Sequence, residues 1–261
     1  MPFIHAINPT IIKLGPLDIR WYGLVYVIGF LLSYLYLRHL VKKRWLNLKN
    51  EELYDWIFYC MLGVLIGSRL VHMLFWEPMY YLAQPWKIFF VWEGGMAFHG
   101  GLIGVVLATY YFWHFKIKKK VNFWRMTDAL AIPALFSLAL GRIANFINGE
   151  LPGTVTEVSW CWYFPSYDGC RHPQVLYSAA KRFLIVGWLV WLRSKEKFKD
   201  GFISVNMLIL VGLGRFLIDF VKEDPRFLYL TAGQYLSLIM IIIGTYFLIK
   251  TYKKDMKRLF S

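Results

Sequence analysis

Seven stretches of about twenty mostly apolar residues, separated by short polar loops, constrain this chain more than any other feature. A helix needs about 20 such residues to cross roughly 30 Å of hydrocarbon, where only helices and closed barrels satisfy their own backbone. The stretches run over Trp21–Leu40, Leu53–Phe75, Met96–Phe115, Thr127–Ile147, Val175–Leu192, Phe202–Val221 and Ala232–Ile249. None alternates with a period of two, so the pattern predicts helices and excludes a barrel. The expected fold is an all-α polytopic membrane protein with seven transmembrane helices, forming one domain over residues 1–261. Met1–Asp18 lacks the positive start and small-residue cleavage site of a signal peptide, so the first run is expected to remain as a span.

Charge placement gives the orientation, because cytoplasmic loops retain Lys and Arg during insertion. Segments 38–49, 116–125, 193–199 and 250–258 carry 5, 5, 4 and 5 basic residues, 19 of the 30 in the chain. The opposite segments, 1–20, 76–93, 148–174 and 222–231, carry only 6. The N-terminus is therefore expected outside and the C-terminus in the cytoplasm, in a plasma (inner) membrane. A net charge of +14 would suggest nucleic acid in a soluble protein. Here the basic loops point to anionic lipid of the inner leaflet, and no nucleic-acid motif, P-loop, dinucleotide fingerprint or metal-spaced His/Cys set is present. The expected partners are membrane lipids, with no nucleic acid and no metal.

The loop 148–174 is the longest outward one and holds Trp160, Trp162, Tyr163, Phe164 and Tyr167 among Gly and Pro. It reads as a small outward-facing cap at the headgroup level. Of three cysteines, Cys161 and Cys170 share this loop, leaving them open to pair, while Cys60 sits in an apolar run.

Charged side chains inside spans are costly and mark function. Counting 1.5 Å per residue from the cytoplasmic entry at Phe202 puts Arg215 about 20 Å up the sixth run, and Arg69 lies about 24 Å up the second. Arg142 is near the outer end of the fourth run, Asn145 one turn further on, and His99 opens the third. With Glu150, these groups converge on the outer headgroup level and suit a ligand with an anionic head and apolar tails. Arginine favours phosphate because its planar fork donates two parallel hydrogen bonds. Blander roles stand beside this one. Lys181 and Arg182 fit side chains that snorkel to headgroups, Arg69 fits a partner of buried carbonyls, and His72 and His114 fit interfacial histidines. Asp219, one turn beyond Arg215, fits either an ion pair or a catalytic group.

The segment Gly141-Arg142-Ile143-Ala144-Asn145-Phe146-Ile147-Asn148-Gly149-Glu150-Leu151-Pro152-Gly153 resembles the signature of prolipoprotein diacylglyceryl transferases. Trp21-Tyr22-Gly23, His99-Gly100-Gly101-Leu102, Arg171-His172-Pro173 and Gly212-Leu213-Gly214-Arg215-Phe216 follow the family's order, so the resemblance covers essentially the whole chain. It departs at Gln174–Ser178, at Val211 and Asp219, in the cap cysteines and at Lys181-Arg182.

The resemblance implies transfer of the diacylglyceryl group of phosphatidylglycerol to the lipobox cysteine in a prolipoprotein signal peptide. The product is a thioether, glycerol phosphate is released, and no cofactor is needed. It implies His99, Arg142 and Arg215 as catalytic. Tyr22, Asn145, Asn148, Glu150, Gly153, Gly100, Gly101, His172 and Asp219 would bind substrate. Two other readings share the architecture: a noncatalytic or divergent lipid-binding paralogue, and a transporter of an anionic lipid or solute, whose site belongs nearer the midplane.

Overall fold

The apolar runs fold as helices in the computed structural model, which describes residues 3–14, 17–75, 77–90, 95–195 and 197–259. In chain order the elements are β1 (Phe3–Ile4), β2 (Thr10–Leu14), β3 (Leu17–Arg20), α1 (Trp21–Lys42), α2 (Asn50–Phe75), α3 (Pro78–Ala83) and α4 (Phe98–Tyr111). Then follow α5 (Phe123–Ile147), β4 (Trp162–Tyr163), β5 (Cys170–Arg171), α6 (Gln174–Ser194), α7 (Phe202–Ile218), β6 (Arg226–Phe227), β7 (Leu230–Thr231), α8 (Ala232–Thr251) and α9 (Lys253–Leu259). Six helices are long and apolar enough to cross a bilayer among the described residues: those of α1, α2, α5, α6, α7 and α8.

The third expected span differs. Its α-helix, α4, has 14 residues and passes into a π-helical turn over Phe112–Lys116, closed by Lys118 and Lys119 at positive φ. Fourteen residues rise only about 21 Å, short of the hydrocarbon thickness. Rings of Tyr110, Trp113, His114 and Phe123 pack together around this wider turn, an arrangement that hydropathy alone does not report.

Contacts divide the chain into two compact units, Met1–Tyr36 with Thr127–Ser261, and Leu37–Met126. In the Leu37–Met126 unit, α2 and α4 approach through facing glycines. A Cβ on Gly67 would strike the Gly100 carbonyl, and one on Gly104 would strike the Gly63 carbonyl. Such small-residue spacing lets membrane helices gain van der Waals contact where no hydrophobic drive exists between them. Arg69 of α2 is buried and donates to the carbonyl oxygens of Lys87, Ile88 at 3.0 Å, Phe90 at 3.1 Å and Gly95 at 3.2 Å. It holds the connection between α3 and α4 by its backbone.

In the larger unit two ends are distinguished. At one, Asp128 of α5 accepts from Gly201 N and Ser204 N, both at 2.7 Å, and from Ser204 Oγ at 2.6 Å, fixing the start of α7. Asp255 of α9 accepts at 3.2 Å from the N–H of Lys199, which shortly precedes Gly201. An apolar core of Ala131, Ile132, Leu135, Ile185, Leu189 and Phe202 lies between α5, α6 and α7. At the other end, β1 pairs parallel with β4, and β4 antiparallel with β5. The chain's first described residues thus join the 148–174 loop in one small sheet. A Cys161–Cys170 disulfide closes this cap.

Candidate active site

The cap end is built by how α5 stops. Gly149 takes φ +69° at the turn, the left-handed conformation that ends helices at low cost for glycine. Its N–H returns to Phe146 O at 2.9 Å and that of Glu150 to Asn145 O at 2.9 Å, and His5 Nε2 lies 2.7 Å from Phe146 O. The reversal brings Glu150 back over the last turn. Its two carboxylate oxygens accept from Asn145 Nδ2 at 2.8 Å and Asn148 Nδ2 at 2.9 Å, while Arg142 Nη1 donates to Asn145 Oδ1 at 3.4 Å. A carboxylate thus orients two amides, and one amide orients the arginine. Asn148 Oδ1 is buried and accepts no hydrogen bond among the described residues.

Arg215 closes the far side of α7. Its Nε lies 3.6 Å from Asp219 Oδ2, and the fully buried Asp219 also pairs with Lys222 Nζ at 2.7 Å and accepts from Thr231 Oγ1 at 3.4 Å. Thr231 and Gln234 form a reciprocal capping box that starts α8, and Gln234 Nε2 reaches Phe216 O at 3.2 Å. Of the two readings left open for Asp219, the geometry is that of an ion pair. Gly233 lets this pair sit against α8, since a Cβ there would strike Asp219 Oδ2 and stand 3.0 Å from Arg215 Nη2.

Lys181 and Arg182 are both half-buried. The Lys181 stem crosses α7 at Gly214, and Arg182, whose Nη1 donates to Ser178 O at 2.8 Å, lies within electrostatic reach of Arg142 and Arg215. The path of the Lys181 stem follows from Gly214 leaving room for it on α7. The outcome is one cluster of Arg142, Lys181, Arg182, Arg215 and Lys222.

The cap seals the neighbourhood. Gly153 N donates to His172 O at 2.8 Å and Thr154 N to Val221 O at 2.9 Å, and a Cβ on Gly153 would stand 2.5 Å from Val221 O. Arg171, only 7% exposed, donates to Asp168 O and Gly153 O and pairs with Glu223. His172 Nδ1 lies 3.2 Å from the Tyr177 hydroxyl, which accepts from Trp160 Nε1 at 2.8 Å. Partial burial pushes the His172 pKa below its ordinary value, favouring the neutral ring. Sequence reasoning named Gly153 and His172 as site residues but gave no role to Arg171, Tyr177, Thr231 or Gln234. The Thr-x-x-Gln spacing ahead of the last apolar run was a readable signal for the last two.

Other expected site residues lie elsewhere or outside the described set. His99 is in the first turn of α4, and Tyr22 in the first turn of α1, but both side chains lie outside the described residues. Gly100 meets α2 backbone, whereas a Cβ on Gly101 would make only ordinary contacts, the nearest at 3.7 Å. No group of three or more His, Cys, Asp or Glu arranged to hold a metal occurs among the described residues.

Fold and site together define a helical membrane protein with a cation-rich cluster beneath a small cap, suited to an amphiphile with an anionic head. The family model described as prolipoprotein diacylglyceryl transferase matches residues 9–250. The phosphatidylglycerol–prolipoprotein diacylglyceryl transferase of Bordetella parapertussis is 43% identical over 246 residues, covering 91% of this chain and 93% of the relative. The enzyme of the same name from Geobacter sulfurreducens is 40% identical over 250 residues, covering 94% and 95%. That from Legionella pneumophila is 39% identical over 245 residues, covering 91% and 94%. The chain belongs to the prolipoprotein diacylglyceryl transferase family.

Proposed function

We propose that this chain transfers the diacylglyceryl group of phosphatidylglycerol to the lipobox cysteine of prolipoproteins, as its relatives' names state for them. The observation that carries the reading is the placing of Arg142, oriented through Asn145 and Glu150, and Arg215, paired with Asp219, at the cap end of one helical unit. The reaction is substitution at an sp³ carbon. Sulfur forms a bond to the glyceryl carbon as the carbon–oxygen bond breaks, its electron pair passes to the phosphate oxygen, and the thiol proton goes to a base.

Two demands follow. The thiol must become thiolate, since free cysteine has a pKa near 8.5, and the departing phosphate must be held as charge grows on it. Arg142, set by Asn145 and Glu150, and Arg215, set by Asp219, grip the phosphate on this reading. Asn148 Oδ1 is available to accept from a headgroup hydroxyl. His99 takes the thiol proton, being the side chain that titrates near working pH. Tyr22, Gly100, Gly101, Gly153 and His172 shape the lipid and peptide path.

The same reading treats residues 1–261 as one seven-span domain, the α4 segment with its π turn being the seventh span. The N-terminus and the 148–174 cap face outward and the C-terminus faces the cytoplasm of the inner membrane. Pairing of β1 with β4 supports a common side for the N-terminus and the cap. Lipid and signal peptide, both amphiphiles, enter laterally from the bilayer. Complementation tests the function. The chain should restore lipoprotein maturation in a bacterium depleted of its own transferase. Failure by a well-expressed, correctly inserted protein would leave the lipid-binding paralogue as the better account.

A further inference from the structure

The grip described above leaves Lys181 and Arg182 without a task. Successive helix positions diverge by about 100°, so the two adjacent residues of α6 serve different neighbours. Lys181 runs along α7 at Gly214, and Arg182 lies within electrostatic range of Arg142, Arg215 and Asp219. Arg182 Nε is buried and has no hydrogen-bond partner among the described residues, and neither side chain forms an ion pair there.

Charge matching gives these residues a purpose. Arg142, Arg215 and Lys222 set against Glu150, Asp219 and Asp224 leave no net charge, so the excess of the cluster is that of Lys181 and Arg182. When the glyceryl carbon–oxygen bond breaks, the electron pair stays on phosphate. The leaving group becomes a monoester that carries nearly two negative charges above its second ionisation near about pH 6. Among the described residues of this cluster, Lys181 and Arg182 are the cations left to match that charge, and two partly buried cations without an ion-pair partner are costly unless an anion joins them.

We propose that Lys181 and Arg182 form a second anion subsite for the dianionic phosphate monoester, so that the site holds the glycerol phosphate leaving group more tightly than the lipid diester it came from. The inference rests on the transferase reading and adds a residue pair and a ligand charge state to it. Interactions that strengthen as charge develops accelerate the step, whereas uniform binding does not.

The test uses the full chain in phosphatidylglycerol nanodiscs with a lipobox peptide, inhibited by glycerol 1-phosphate or by its methyl diester. At pH 7.5 the wild type should prefer the monoester by about tenfold, the scale of one charge-assisted contact, and lose that preference near pH 5.5 as the monoester takes up a proton. Lys181→Met and Arg182→Gln should each lower monoester affinity by about tenfold while changing diester inhibition and the KM for lipid by less than about threefold. Arg182→Lys should recover most of the loss. Equal weakening of both inhibitors, or of neither, overturns the subsite and leaves transfer intact. A wild type that never lipidates the peptide overturns the transferase reading, and the subsite with it.

Discussion

Replacing Gly233 with alanine isolates the packing that positions Arg215. In an exposed helix interior the change should stabilise by about 0.5–1 kcal/mol, because alanine loses less chain entropy on folding. Here the new methyl would strike Asp219 Oδ2 and stand 3.0 Å from Arg215 Nη2 and 3.1 Å from Arg215 Nε. Overpacking of this kind costs about 1–3 kcal/mol, and pushing the buried carboxylate from Thr231 or Lys222 adds about 1–3 kcal/mol. The net expectation is a loss of about 3 kcal/mol, with the sign opposite to helix propensity. Since about 1.4 kcal/mol of lost transition-state stabilisation is tenfold in rate, a shifted guanidinium should lower transfer at least about tenfold. Gly187→Ala in α6, where nothing lies within 4 Å, is the control and should be neutral or stabilising. Denaturation in detergent and lipidation of a peptide read both quantities. A Gly233→Ala protein as stable and active as wild type would refute the packing argument.

Removing the Cys161–Cys170 disulfide, a loop of separation 9, with the double serine variant should cost about 2–3 kcal/mol of cap stability, measured as earlier proteolysis within 148–174. His172 should titrate below its ordinary 6.5, so the unfolded chain binds more protons between the two values. The stability it contributes is present above that window and lost as pH falls through it; an NMR midpoint at or above 6.5 contradicts this. Arg69→Lys should destabilise the α2 connection by about 2–4 kcal/mol, because a point ammonium cannot serve carbonyls at four positions, and thermal unfolding reads the loss.

Helix positions were largely legible because hydrocarbon imposes length and polarity together. The fifth run, Val175–Leu192, became α6 over Gln174–Ser194, and the seventh became α8 from Ala232. The third run failed that rule where aromatic packing around Phe112–Lys116 favoured a wider turn. Depth along a helix could be counted from the sequence, which put Arg142 and Arg215 at one expected level. Azimuth could not: the Lys181 stem lies along α7 because Gly214 on that helix leaves space, a relation between residues far apart in sequence. The cap strands are two residues long and carry no periodic signal, so only their aromatic content marked them. Asp219 was legible through its four-residue spacing from Arg215, whereas its contact with Thr231 depends on the hairpin of β6 and β7 returning the chain.

The central claim is that guanidinium groups at the cap end hold the lipid phosphate during substitution. Mass spectrometry of a lipobox peptide incubated with the purified chain in phosphatidylglycerol vesicles tests it most directly. The wild type should add one diacylglyceryl unit to the cysteine, and Arg142→Ala and Arg215→Ala, correctly inserted, should each lower the rate by at least about a hundredfold. Near-normal rates in either variant would contradict the account.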